Sequence, residues 1–218
     1  MQHLSTMLSR KGIPFVLVVL FLLIGLKTHQ PHVAAAQPKS LTGFASGFNE
    51  QFSDGGANWG AWSGDWTVST GYLHGVAATK QSWSHVYFDK ANYSNLDYQV
   101  RMRRTGCGTC TNGIHVRGTT SSIRFKYINT GEYTIEKCGP SVCTTLDPFT
   151  THSAILKGGY NTLRIVAIGN TYDFLINNKL IVSHVITGLS SGNVGVSFYS
   201  NQITGNTLDV DWAVLNRR

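Results

Sequence analysis

From Phe48 onward the chain alternates apolar and polar residues over short runs broken by glycine and asparagine, and it nowhere sustains a 3.6-residue period. Alternation of period two places successive side chains on opposite faces, the requirement of a half-buried strand and not of an amphipathic helix. The clear runs are 65–69, 96–104, 113–117, 123–128, 133–137, 161–168, 172–176, 180–186, 194–199 and 207–215. Strands at this spacing predict an all-β chain, a two-sheet antiparallel β-sandwich of jelly-roll type. Ile128-Asn129-Thr130-Gly131 and Asn177-Asn178 predict tight hairpins, because Asn and Gly tolerate the positive φ such turns need.

The first 36 residues do not share this pattern. Arg10 and Lys11 precede an apolar run from Ile13 to Leu26, and Ala34-Ala35-Ala36 follows. A basic start, an apolar centre and a small-residue end are the plan of a secretory signal peptide. The run is shorter than the roughly 20 apolar residues that span a bilayer, so no stable membrane anchor is expected after cleavage. The expected organisation is a helical signal peptide over 1–36, a short polar linker over 37–47 and one β domain over 48–216, exported from the cell. Three of the 18 Lys+Arg (Arg10, Lys11 and Lys27) leave with the signal and none of the 11 acids does, so the mature charge is 15 − 11 = +4. That excess is too small to point to nucleic acid.

Residues 161–200, NTLRIVAIGNTYDFLINNKLIVSHVITGLSSGNVGVSFYS, join Asn-x-Leu, a Gly-Asn turn, Ile-Asn-Asn and Gly-x-Val-Gly-Val. Ahead of them stand FNEQFSDGGANWGAWSGDWTVSTGYLHG (48–75) and NGIHVRG (112–118), and behind them LDVDWAVL (208–215). This arrangement resembles the laminin-G-like members of the concanavalin A-like lectin/glucanase superfamily, and among them the secreted bacterial 3-keto-disaccharide hydrolase-like branch. The resemblance implies a jelly roll and a carbohydrate partner. It does not imply one chemistry, since this fold hosts lectins, hydrolases, lyases and adhesion modules.

Four cysteines in an exported chain suggest two disulfides. If strands 96–104, 113–117, 123–128 and 133–137 form a meander, the Cys107/Cys110 loop and the Cys138/Cys143 loop lie at opposite ends of it. A five-residue strand is about 17 Å long, whereas bridged Cα atoms lie within about 7 Å. Local pairs, Cys107–Cys110 and Cys138–Cys143, are therefore expected, ahead of crossed pairs, a four-thiolate zinc site or a redox Cys-x-x-Cys.

On the same meander, Tyr98, Val100, Met102, Ile114, Val116, Phe125 and Tyr127 alternate with Arg101, Arg103, His115, Arg117, Arg124 and Lys126. One face is then core and the other a cationic stripe. The stripe reads either as a solvated outer face or as a groove for an anionic glycan, since arginine pairs bidentately with carboxylate and sulfate. Trp83, with Trp59 and Trp62, offers stacking surface for sugar rings; Trp66 and Trp212 read as core.

A catalytic set is not evident. The laminarinase-type members of the superfamily carry Glu-x-Asp-x-x-Glu, which this sequence lacks, and no Gly-x-Ser-x-Gly elbow occurs. Glu50, Asp209 and Asp211 are weak candidates for a Ca²⁺ site; otherwise no cofactor is expected. The sequence thus predicts a secreted, non-catalytic carbohydrate-binding domain with Arg101, Arg103, His115, Arg117, Lys126 and Trp83 at its site. The alternatives are a lyase or glycoside hydrolase acting on a uronate-containing glycan, with Arg101, Arg117 and His115 in the lyase roles, and an adhesion domain contacting proteins.

Overall fold

The computed structural model describes residues 47–77, 81–201 and 205–218, with the backbone alone at Trp62, Asp89 and Lys90. The expected signal peptide, and the linker apart from Gly47, lie outside the described residues. Among those residues there are fifteen strands and no helix. In chain order they begin β1 (Phe48–Glu50), β2 (Trp59–Ser63), β3 (Asp65–Ser69), β4 (Tyr72–Val76) and β5 (Ser82–Tyr93). Next come β6 (Leu96–Thr105), β7 (Asn112–Gly118), β8 (Ser122–Ile128), β9 (Glu132–Cys138) and β10 (Cys143–Thr151). The chain closes with β11 (Asn161–Ile168), β12 (Thr171–Ile176), β13 (Lys179–Val185), β14 (Gly192–Ser200) and β15 (Thr207–Arg217).

They form two antiparallel sheets. One runs β10-β9-β8-β7-β14-β5-β2; the other runs β13-β12-β11-β6-β15-β4-β3, with β1 added on β15. The apolar half of each alternating pattern points into the space between them. Ring contacts such as Phe125–Phe174 and Trp66–Phe198, both 5.3 Å between centroids, join the sheets. Each fully buried Leu, Ile or Phe in such a core contributes about 1.5–3 kcal/mol relative to exposure. The expected hairpins are present: Asn177 and Asn178 take φ of 50° and 65°, and Gly131 N–H donates to Ile128 O.

Both local disulfides form, with Cα separations of 5.5 Å for Cys107–Cys110 and 3.9 Å for Cys138–Cys143. The meander behind that expectation needs correction. It begins at β7, not β6: β6 lies in the eight-stranded sheet, and the Cys107–Cys110 loop carries the chain across to the other. The alternation says which side of a strand is apolar, and both β6 and β7 do turn that side to the core. It does not say from which side of the core the strand looks in.

Candidate functional site

The crossing splits the expected cationic stripe. On the outer face of the seven-stranded sheet, the register aligns Tyr87, Gly195, His115, Arg124 and Glu136 in one row across β5, β14, β7, β8 and β9. The next row is His85, Ser197, Gly113, Lys126 and Thr134, and beyond it Trp83 stands opposite Tyr199. Glycine is required at two floor positions. A Cβ on Gly195 would lie 2.4 Å from His115 Cε1, and one on Gly113 would lie 2.7 Å from Lys126 Cγ.

Trp83 gathers the face around itself. Its ring is 5.1 Å from that of Tyr199 and 5.6 Å from His85, which it meets nearly parallel. Lys126 Nζ and Arg124 Cζ lie 5.0 and 5.7 Å from its centre. The two cations differ in their partners. Lys126 is buried and bonded to Glu136 at 2.6 Å; among the described residues Arg124 has no carboxylate in contact, only Ser122 Oγ at 3.4 Å. Burial lowers the pKa of both, and Glu136 opposes the shift in each.

His85 and His115 lie 6.3 Å apart on this floor. Burial, then Arg124, lowers His85 to about 4; burial, then His85 and Arg124, lowers His115 to about 3. Both are neutral imidazoles at ordinary pH, each with one donor and one acceptor nitrogen. His115 Nε2 and Ser197 Oγ lie buried beneath this face, with no hydrogen-bond partner among the described residues.

This architecture has known counterparts. The family model for the 3-keto-alpha-glucoside-1,2-lyase-like domain matches residues 43–204. The chain belongs to that family. No curated protein matches the sequence. Among solved structures, it is similar to the carbohydrate-binding module CBM66 from Bacillus subtilis, at 13% identity and a TM-score of 0.59 over 71% of this chain and 92% of that one. It is also similar to a Bacillus licheniformis beta-glucanase, at 12% identity and a TM-score of 0.64 over 80% of this chain and 99% of that one. The Crh5 transglycosylase in complex with NAG matches at 12% identity and a TM-score of 0.59, over 80% of this chain and 86% of that one. Identities this low establish a shared fold and nothing finer.

Three arginines expected at the site stand elsewhere in this 3-keto-alpha-glucoside-1,2-lyase-like domain. Arg101 and Arg103 are on the outer face of the eight-stranded sheet, where Arg101 pairs with Asp211 and Arg103 with Asp209 at 3.3 Å. Both guanidiniums lie over the Tyr160 ring, 4.4 and 4.7 Å from its centre. Arg117 leaves the outer face altogether. Its φ of 52° ends the alternation of β7, and the side chain turns inward, 1% exposed. There it donates to Ser94 O, Leu189 O and Tyr172 Oη. Arg117 is a clamp between loops.

The calcium candidates do not converge either. Asp209 is held by His74 at 2.9 Å as well as by Arg103, Asp211 by Arg101, and Glu50 accepts from Phe52 N–H at 2.7 Å. Carboxylates neutralised by guanidinium are poor ligands for a hard cation, and among the described residues these three do not gather around one point. The single group of potential ligands found among those residues is Glu136 with Cys138 and Cys143, whose sulfurs are consumed in the disulfide.

Of the expected site, then, Trp83, His115 and Lys126 are together, with Arg124 of the wider stripe. His85, Tyr87, Ser197, Tyr199 and Glu136 complete the face. Trp59 points to the core, against Phe48, Phe52 and Phe88. The spacing of Trp83, His85 and Tyr87 is itself the signal that could have found β5. It was obscured because Val86 and Phe88, on the other side of the strand, are apolar too.

Proposed function

We propose that this chain is an exported domain that binds a carbohydrate on the outer face of the seven-stranded sheet, without chemistry of its own. The observation that carries this is the half-buried Trp83 ring, held between Tyr199, His85 and Lys126 with the Arg124 guanidinium alongside. A sugar needs an apolar plate for its C–H face and fixed polar groups for its hydroxyls, and this floor offers both. The local balance beside Trp83, Arg124 and Lys126 against Glu136 among the described residues, favours an acidic glycan. The likeness to CBM66 and to glucanases agrees with a glycan partner. Export would follow removal of residues 1–36, leaving Gln37 as the first residue.

A second reading, cleavage of a glycan, is favoured by the lyase-like family and by the neutral His85 and His115 on the same face. Paired-carboxylate hydrolysis fits poorly. Glu132 and Glu136, four residues apart on one strand, are about 13 Å apart along it, whereas that chemistry uses about 5–9 Å. Lys126 holds Glu136, and Thr130 holds Glu132.

The test is affinity electrophoresis of the mature protein in gels containing soluble neutral and acidic polysaccharides, with Trp83→Ala beside the wild type. Retention of wild type by one of them, lost in Trp83→Ala, supports the reading. Equal retention of both proteins removes Trp83 from the site and overturns it. New reducing ends or unsaturated products after incubation would replace binding alone with the enzymatic reading. Sequencing the N-terminus of protein recovered from the medium tests the export step.

A further inference from the structure

A pocket of about 320 Å³ opens at the end of the Trp83 face, between the β7–β8 turn and the β9–β10 turn at 139–140. Gly118, Thr119, Thr120, Ser121, Ser122 and Arg124 line it, and none of its described lining residues is acidic. It is continuous with the proposed sugar floor. Arg124 belongs to both, and a Cβ on Gly118 would lie 3.1 Å from His115 Cδ2.

The charges point one way. Lys126 holds Glu136 in direct contact, whereas the partly desolvated guanidinium of Arg124 feels that carboxylate only at longer range and, among the described residues, has only a long contact to Ser122. A cation removed from water without a counter-charge is costly, and a bound anion relieves that cost. Four hydroxyl side chains beside it supply donors that also suit oxyanions. Arg101 and Arg103, by contrast, already have aspartates.

We infer that the Arg124 pocket is the subsite for an oxyanion substituent of the bound glycan, a sulfate ester or a uronate carboxylate, whose sugar rests on Trp83. This rests on the carbohydrate-binding reading of the Trp83 face and adds to it the class of sugar selected.

The experiment compares retention of the mature protein by two matched pairs, dextran sulfate with dextran and polygalacturonate with its methyl ester. The wild type should be held more tightly by the acidic member of at least one pair; the pair that responds separates sulfate from carboxylate. Arg124→Gln should weaken that retention by about tenfold or more, the worth of one charge-assisted contact. Arg103→Gln removes the same unit charge from the other sheet and should leave retention within about twofold. Thr120→Glu, on the exposed turn, places a competing carboxylate at the pocket and should reproduce the loss in a variant whose fold is undisturbed. Thermal melts of all variants exclude unfolding as the cause.

The inference is overturned if Arg103→Gln weakens retention as much as Arg124→Gln, which would mean attraction by net charge alone. It is equally overturned if neither acidic polymer is preferred. Dependence on Trp83 without dependence on Arg124 defeats the pocket and leaves the sugar floor; dependence on Arg124 without Trp83 defeats the floor and leaves an anion site.

Discussion

The Lys126 ammonium sits 5.0 Å from the centre of the Trp83 ring. Lys126 and Trp83 come from strands that are not neighbours; β7 and β14 lie between β8 and β5. They meet because Gly113 and Ser197 fill the intervening positions with little or no side chain. A desolvated cation over an indole is worth about 2 kcal/mol, and a ring already held in place loses less entropy when a ligand stacks on it.

Glu136 is what allows that cation to be buried, so Glu136→Gln should destabilise the domain by about 3 kcal/mol by leaving Lys126 unpaired. The double variant Glu136→Gln, Lys126→Met should recover most of this, since it removes the orphaned charge. Burial lowers the Lys126 pKa from its ordinary 10.5, so the unfolded chain holds that proton to higher pH than the folded one. The deficit in Glu136→Gln should therefore shrink as pH rises toward 10.5. Urea midpoints of the three proteins at pH 7 and 9.5 check both statements, and a double variant no better than the single one would contradict them.

Arg117→Met should cost about 3 kcal/mol or more and leave glycan retention unchanged in the fraction that remains folded. The substitution keeps apolar bulk but strands Ser94 O, Leu189 O and Tyr172 Oη without their donor. Denaturant unfolding alongside affinity electrophoresis separates the two effects. Weakened binding with normal stability would restore Arg117 to the ligand face.

Gly195→Ala should destabilise the domain by about 2 kcal/mol or more. The new methyl would stand 2.2 Å from Val86 O, which belongs to the backbone, and 2.4 Å from His115, so neither neighbour can yield cheaply. Gly71→Ala provides the contrast in space: nothing lies within 4 Å of that Cβ, and its cost comes only from a φ of 78°. Thermal melts of the two rank them, and an equal loss would mean that the floor glycine matters for its backbone and not for the room it leaves.

Much of the fold was legible because local chemistry specified it. The hairpin at Asn177-Asn178 needs two residues that accept positive φ, and the runs 65–69 and 161–168 match β3 and β11 to the residue. What was not legible depends on relations between distant strands. Nothing in Tyr98-Val100-Met102 or in Ile114-Val116 says that they meet the core from opposite sheets, and so the six-residue stripe divided. Arg117 was misplaced for a local reason: a left-handed backbone at a non-glycine residue breaks the alternation without a trace in the residue type. β10, CTTLDPFTT, escaped notice because an edge strand with Pro148 and two register irregularities has largely exposed side chains and no apolar period.

The two histidines of the floor should govern acid stability. Unfolded, each takes up its proton near pH 6.5; folded, His85 does so at about 4 and His115 at about 3. Above pH 6.5 both states are neutral and the contribution is fully present. As pH falls below 6.5 the unfolded chain gains protons that the native fold refuses, and stability drops until the folded pKa values are passed. Near pH 5 the difference approaches two protons, a slope of about 2.7 kcal/mol per pH unit. Replacing both with glutamine, which does not titrate, should flatten urea midpoints between pH 6.5 and 4.5 and leave the carboxylate-driven loss below that range. Glycan retention by the wild type should stay level over the same interval while the protein remains folded, because the imidazoles facing the sugar stay uncharged. Parallel stability profiles for wild type and double variant would show that His85 and His115 titrate in the fold as they do in water.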